Sequence, residues 1–364
     1  MTTLKERKSK SSILYEDLKE SLEDILSYER GTSNLKFVED TVTVEEVVSP
    51  EIIYSQLRDR GFDKSYSQKF LFPSWFKKQF LSNESELKKL ATYLRENIFT
   101  SIENYSFQYK KNKSIQKQDI QTATEISILA ANTIHSIFNK PYKSLPQKPK
   151  DMIQALKKKS NTIELDTMLD YLWESGIPVL YISQFPKKTK KMTAVSIMID
   201  ERPVIILSKS HKYPSWYLFE LAHEIGHIAL GHLKKEGIIL DENLDMSSNN
   251  PMEKEADEFA LSILEGKDLK SYFPAKMNPS GLHGLAIGLS NKLKVNPGFI
   301  ILSYAKHVND YAIGNAALRL LAEEISPPEY FLKKIDKHLN STKANKEKVE
   351  FLKKLATNVI SNKF

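Results

Sequence analysis

Two histidines and a glutamate carry the clearest chemical signal in this sequence. Residues 223–227 read His-Glu-Ile-Gly-His, so His223 and His227 are four residues apart. On a helix, side chains at this spacing lie one above the other, and both imidazoles can bind one Zn²⁺. Glu224 lies about 100° around the helix from His223 and can reach a water on the metal. The spacing therefore predicts a zinc site with an adjacent general base.

A second acidic segment supplies candidates for a third ligand. Residues 250–264 read NPMEKEADEFALSIL, in which Glu253 and Asp257 share one edge of a predicted helix. We predict that Glu253 binds the metal and that Asp257 accepts a hydrogen bond from the free ring nitrogen of a ligand histidine. Two alternatives stay open. Glu253 forms a capping box with Asn250, or Glu255 on the same turn is the ligand.

The donor set points to catalysis rather than to a structural metal. Three protein ligands leave a fourth position of zinc for water, which is typical of catalytic sites. The chain has no cysteine, which excludes zinc ribbons, iron–sulfur clusters, cysteine nucleophiles and a disulfide framework. Any bound metal must therefore be held by histidines and carboxylates.

The elements around the motif are readable from local patterns. Residues 214–232 form a predicted helix that starts at Pro214, and 192–200 with 203–208 form a predicted hairpin. The strand 192–200 is expected to offer an edge to an extended substrate. Gly226 costs the helix about 1 kcal/mol relative to alanine, which suggests close helix packing or substrate approach.

Composition limits the other functions of this chain. The 364 residues carry a net charge of +7, almost all of it from lysine because only seven residues are arginine. Base and phosphate recognition favour arginine, so we interpret the surplus as a solvated surface. No run of about 20 apolar residues is present, and residues 1–12 do not resemble a secretory signal. We expect a helix-rich cytoplasmic protein.

The predicted fold class is α+β and mostly helical, with a small zincin-like sheet packed on the helix that carries 223–227. We predict a disordered tail over 1–12 and a helical partner-sensing domain over 13–145. A metallopeptidase domain is predicted over 146–270, followed by a helical region over 271–364.

Local patterns outside the motif give four further predictions. The apolar spacing predicts a helix over 13–29, and alternation predicts a short strand over 35–48. Residues 106–118 are rich in lysine and are predicted to be a linker. Helices are expected to dominate from 214 to the last residue.

The motif and the acidic segment together resemble the ImmA/IrrE family of zinc metallopeptidases. His-Glu-Ile-Gly-His at 223–227 is followed, after 25 intervening residues, by Glu-Lys-Glu-Ala-Asp-Glu-Phe-Ala at 253–260. The resemblance extends to WESGIPV at 173–179 and to the hairpin MTAVSIMIDERPVIILS. It covers roughly 160–265.

The resemblance implies a function and a set of residue roles. His223, His227 and Glu253 would be zinc ligands and Glu224 the catalytic base, while the family often has asparagine where this chain has Asp257. Members are intracellular bacterial or phage peptidases of the gluzincin type. They typically cleave helix-turn-helix repressors or antitoxins, or belong to toxin–antitoxin and phage-defence loci. We therefore expect a zinc endopeptidase that cleaves an intracellular repressor or antitoxin, as the toxin or switch of such a locus.

A competing hypothesis is a non-catalytic protein- or DNA-binding regulator that keeps zinc as a scaffold. DNA binding by the N-terminal half is the less favoured prediction, because residues 52–76 lack the Gln-x-x-Leu-Ala pattern of a helix-turn-helix core. His232 is interpreted as a helix-end histidine, although it could assist an oxyanion. His211 and Tyr213 are weaker candidates for lining the cleft. The sequence does not choose the residue that stabilises the oxyanion.

Overall fold

A computed structural model describes most of the chain beyond residue 47. The described ranges are 48–99, 106–109, 117–158, 160–187, 189–234, 237–241, 250–265, 269–339 and 345–357. The described residues from Val48 onwards form one compact unit. The predicted tail over 1–12, the helix over 13–29 and all but the last residue of the strand over 35–48 lie outside the described residues.

Helices make up most of the described structure, as predicted. The α-helices are α1 Pro50–Asp59, α2 Lys64–Tyr66, α3 Glu84–Leu94, α4 Lys117–His135, α5 Pro149–Leu156, α6 Leu165–Glu174, α7 Pro214–Ala229, α8 Pro251–Glu265, α9 Pro279–Leu293, α10 Pro297–His307, α11 Tyr311–Leu320, α12 Pro327–His338 and α13 Lys346–Ala356. Short π-helical turns follow α2 and α3, and two 3₁₀ turns cover Lys78–Ser82 and Leu269–Tyr272. Proline begins α7 and α8, where its fixed φ suits the first turn.

Five strands form one mixed sheet. They are β1 Ser106–Tyr109, β2 Val179–Tyr181, β3 Ala194–Ile199, β4 Arg202–Leu207 and β5 Gly237–Asp241. Their order across the sheet is β1-β5-β3-β4-β2. The central strand β3 is antiparallel to both of its neighbours, whereas β1 and β2 run parallel to β5 and β4.

The hairpin of β3 and β4 confirms the predicted pair of strands and moves its turn by one residue. Asp200 and Glu201 have φ of 43° and 68°. Positive φ at both central residues is the geometry of a type I′ turn, whose twist matches that of paired strands. Arg202 is consequently the first residue of β4 rather than part of the turn.

Two hydrophobic cores lie on opposite faces of this sheet. Along β3, Ala194 belongs to the core that contains α7 and α8, while Val195 and Ile197 belong to the other core. The alternation follows from the two-residue period of a strand. The sheet therefore separates the helices of the zinc motif from α4, which packs on the opposite face.

Two predictions about strands need correction. The predicted linker 106–118 contains β1. Helices dominate the described residues beyond 214, as predicted, although this stretch also contains β5. The strand predicted over 192–200 is not an edge, because β4 and β5 pair with its two sides. Short strands such as β1 and β5 are stabilised by cross-strand pairing, which local composition does not reveal.

The fold class is confirmed as α+β and mostly helical, with a small sheet packed on the helix of the zinc motif. The second core draws residues from all three predicted regions, including Leu57, Val195 and Leu352. The functional division of the chain at about 145 and 270 stays a prediction. Among the described residues, no helix has both the length and the apolar character needed to cross a membrane.

Candidate metal centre

The candidate centre lies where α7 and α8 pack closely together. A Cβ at Gly226 would be 2.9 Å from the carbonyl oxygen of Ala256 and 3.0 Å from its Cα. Backbone atoms cannot move aside at low cost, so only glycine lets the two helices come this near. Of the two interpretations of the mid-helix glycine, this contact supports close helix packing. It brings the ligand candidates of α8 beside those of α7.

Three potential ligand atoms converge between the helices. His223 Nε2 lies 3.0 Å from His227 Nε2. Glu253 places its Oε2 3.5 Å from His223 Nε2 and its Oε1 3.7 Å from His227 Nε2. All three side chains are buried. Among the described residues, these three form a group of histidines and acids able to hold a metal ion.

The spacing of these atoms fits zinc. Two ligands at zinc–nitrogen bonds of 2.0–2.1 Å in a tetrahedral arrangement would be about 3.4 Å apart. The three distances between the side chains, 3.0, 3.5 and 3.7 Å, bracket that value. The chemistry also fits, because two imidazoles and one carboxylate are the donors that zinc takes in catalytic sites.

The outward ring nitrogens of both histidines also have partners. His223 Nδ1 lies 2.9 Å from Asp257 Oδ1, the contact predicted for Asp257. His227 Nδ1 lies 3.0 Å from Nδ1 of His232, and His232 Nε2 lies 3.0 Å from Glu255 Oε2. A partner at Nδ1 leaves Nε2 for a metal and fixes the orientation of the ring.

Glu224 lies on the same helix but points towards the sheet. Its carboxylate accepts a hydrogen bond from the hydroxyl of Ser196 on β3, and its side chain is fully buried. Ser196 pairs with Ile205 on one side and with Ile239 on the other, which fixes its position. The carboxylate of Glu224 is therefore held in place by a residue of the sheet.

The alternatives left open for the acidic segment now have positions in the structure. The side chain of Asn250 accepts a hydrogen bond from the backbone of Met252, while the Glu253 carboxylate faces the two histidines. Glu255 meets His232 instead of the converging atoms. The roles of Glu253 and Glu255 as ligand or supporting residue stay predictions.

Of the remaining histidine and tyrosine candidates, His211 and Tyr213 have partners outside the centre, whereas His232 contacts a ligand candidate. His211 pairs with Glu220 at 2.7 Å and stacks on Trp216. The hydroxyl of Tyr213 points to Glu324, at 3.4 Å. His232 is not part of the helix, because α7 ends at Ala229, and its ring contacts His227 and Glu255.

Sequence reasoning missed Ser196 and the contact that His232 makes. Ser196 lies within a strand of apolar residues, and only the packing of β3 against α7 shows its contact with Glu224. His232 carried a signal in its proximity to the motif, but its contact depends on the chain reversal at Gly231, where φ is +74°. Neither contact follows from helical periodicity.

The comparison with known families agrees with this geometry. Residues 174–269 match the model of the Peptidase_M78 family, described as an IrrE N-terminal-like domain. The match is consistent with the ImmA/IrrE family. The matched segment contains every residue of the candidate centre, from Ser196 to Asp257, and the match supports a peptidase-family assignment. No curated protein matches the chain.

Proposed function

We propose that this ImmA/IrrE-type protein is a zinc-dependent endopeptidase. One observation carries the proposal: His223, His227 and Glu253 converge on one point, and Ser196 holds the carboxylate of Glu224, the residue next to His223 on the same helix. A purely structural site needs the converging donors but has no use for a separately held carboxylate. The arrangement therefore favours catalysis over the scaffold hypothesis.

His223, His227 and Glu253 would hold the zinc ion. When bound, zinc supplies a Lewis acid that polarises a peptide carbonyl and increases the acidity of water. Asp257 and His232 keep the two imidazole rings in orientations that leave Nε2 available. Because these contacts already restrict the two rings, the rings lose less conformational freedom when zinc binds.

Glu224 performs the proton transfers of peptide hydrolysis. It takes a proton from the attacking water as the water oxygen bonds to the carbonyl carbon. It then gives that proton to the leaving amine as the carbon–nitrogen bond breaks, so that one water is consumed for each bond cleaved. The hydrogen bond from Ser196 keeps the carboxylate oriented during both transfers.

The proposed substrate is a regulatory protein in the cytoplasm, specifically a helix-turn-helix repressor or an antitoxin. This part of the proposal is supported by the family of residues 174–269. The protein would then act as the toxin or switch of a toxin–antitoxin or phage-defence locus. We assign recognition of that partner to the helical region before residue 145, which has no counterpart in the matched domain.

The test compares the wild-type chain with Glu224→Gln on purified repressors or antitoxins encoded beside its gene. We expect wild-type protein loaded with zinc to cleave one of them, and the variant to be slower by about 10²- to 10⁴-fold. Zinc content and thermal unfolding should be equal in the two proteins. Equal cleavage by the variant, or a zinc-loaded wild type that cleaves none of these partners, would contradict the proposal.

A further inference from the structure

The two ligand histidines differ in how the protein supports them. His223 meets a carboxylate directly, through Asp257 on α8. His227 meets a second histidine, His232, which in turn meets Glu255 on the same helix. We propose that His232 is the positioning residue of His227, and that Glu255 orients the ring of His232. The proposal rests on the proposed zinc site but not on peptidase activity.

The direction of the hydrogen bonds follows from the ligand role of His227. A histidine that offers Nε2 to a metal carries its proton on Nδ1. His227 Nδ1–H therefore donates to Nδ1 of His232, over 3.0 Å. His232 must then carry its own proton on Nε2, and it donates that proton to Glu255 Oε2, also over 3.0 Å. The carboxylate accepts only, so the three groups allow one consistent arrangement.

The backbone after α7 is shaped to return His232 to this position. Gly231 has φ of +74°, a conformation that other residues rarely adopt, and a Cβ there would meet no atom within 4 Å. The need for glycine is therefore conformational rather than steric. The reversal lets the backbone N–H of His232 donate to the carbonyl of His227 at 2.9 Å. Backbone and side chain of His232 thus both bind the same ligand residue.

Burial gives the contact its strength. His227 and His232 are both buried, with relative exposures of 1% and 8%, so water does not compete for the hydrogen bond between their rings. Glu255 is more exposed, since 59% of its side-chain surface is accessible. We therefore expect the loss of His232 to weaken the zinc site more than the loss of Glu255.

The test measures zinc affinity in the full-length chain by competition with a chromophoric chelator. His232→Ala should bind Zn²⁺ about 10- to 100-fold more weakly than wild type, as is typical when a partner of a metal ligand is removed. Glu255→Ala should show a smaller loss in the same direction. Glu258→Ala is the matched control on α8, because Glu258 contacts Lys254 only weakly, at 3.9 Å. The zinc affinity of this variant should equal that of the wild-type chain.

A conservative variant separates positioning from a general effect on folding. Asparagine places an amide oxygen near the position of Nδ1, so His232→Asn should regain part of the affinity lost in His232→Ala. Thermal unfolding of the metal-free proteins in chelator should be similar for all variants. If His232→Ala does not fold, His232→Asn and Glu255→Ala decide the outcome through the same affinity measurement.

The outcomes distinguish this inference from the proposed function. Unchanged zinc affinity in His232→Ala, together with loss of zinc in His227→Ala, would overturn the positioning role and leave the metal site intact. Weakened affinity in His232→Ala would support the role even if no peptide were cleaved. A wild-type chain that binds no zinc would overturn both.

Discussion

Two clusters of polar and charged side chains in the same compact unit are built on opposite principles. The metal cluster consists of His223, His227 and Glu253, which direct lone pairs of nitrogen and oxygen towards one point. The lysine cluster contains Lys334, whose Nζ lies 2.6 Å from Asp166 and 2.7 Å from Asp170. The lysine cluster contains its own cation. The metal cluster gathers electron-pair donors, and a bound cation would occupy the point on which they converge.

This difference separates a binding site from a structural contact. In the lysine cluster, Lys334 on α12 is matched by carboxylates on α6, and Lys337 adds a second ammonium 2.9 Å from Asp170. Its charges are balanced as the chain folds, and it fastens the two helices together. The metal cluster contains no lysine or arginine, so we expect its stability to depend on metal. Burial of polar groups alone does not indicate function.

The largest expected effect is the dependence of stability on zinc. Because zinc binds the folded chain preferentially, free zinc at 1,000 times its dissociation constant should raise the free energy of unfolding by about 4 kcal/mol. Denaturant unfolding of the wild-type chain with zinc and with chelator measures this increment. His223→Ala should lose it. An equal increment in His223→Ala would show that zinc acts elsewhere.

Removing a charge from the lysine cluster should have a smaller effect that does not depend on zinc. Asp170→Asn weakens a charged hydrogen bond to Lys334, which is 6% exposed, and should cost about 2 kcal/mol of unfolding free energy. Denaturant unfolding with zinc and with chelator should give the same loss. A loss confined to the zinc-loaded protein would break the distinction between the two clusters.

The same variant should change the response to acid. Burial tends to raise the pKa of Asp170, but hydrogen bonds from Lys334 and Lys337 outweigh it and hold the pKa below its usual value. A lowered pKa contributes stability above the unfolded value of about 3.9. That contribution is lost as the pH falls through the lower, folded pKa. The stability difference between wild type and Asp170→Asn should therefore be full at neutral pH and should shrink below about pH 4.

The smallest expected change in stability comes from Gly226→Ala. The new Cβ would lie 2.9 Å from the carbonyl oxygen of Ala256, and forcing α7 and α8 apart costs about 1–3 kcal/mol. Better helix propensity returns about 1 kcal/mol, which leaves a net loss of about 1 kcal/mol. Zinc affinity should fall as well, because Glu253 moves with α8. Ala286→Gly, in the buried face of α9, is a control that should lower stability without changing zinc affinity.

The candidate centre was more predictable than the sheet that supports it. His223, His227 and Glu253 follow from spacing on two helices, because helical geometry places residues four apart on one face whatever the surroundings. The strands β1 and β5 did not follow, since a strand of four or five residues depends on partners distant in sequence. The expected free edge of β3 was wrong for the same reason. Its pairing with β5 joins residues more than 40 positions apart.

The sequence by itself determined which residues face one another within each helix, because the helical repeat is a local property of the backbone. The sequence therefore determined that the two histidines of the motif share a helix face, that the acid between them lies on another side of that helix, and that the acidic pair shares an edge of the next helix. Only the tertiary structure decided the partners of these residues: Ser196 for Glu224, His232 for His227, and the close approach of Ala256 to Gly226. Those contacts depend on strand register, on a left-handed turn and on helix packing, which arise only when the whole unit is assembled.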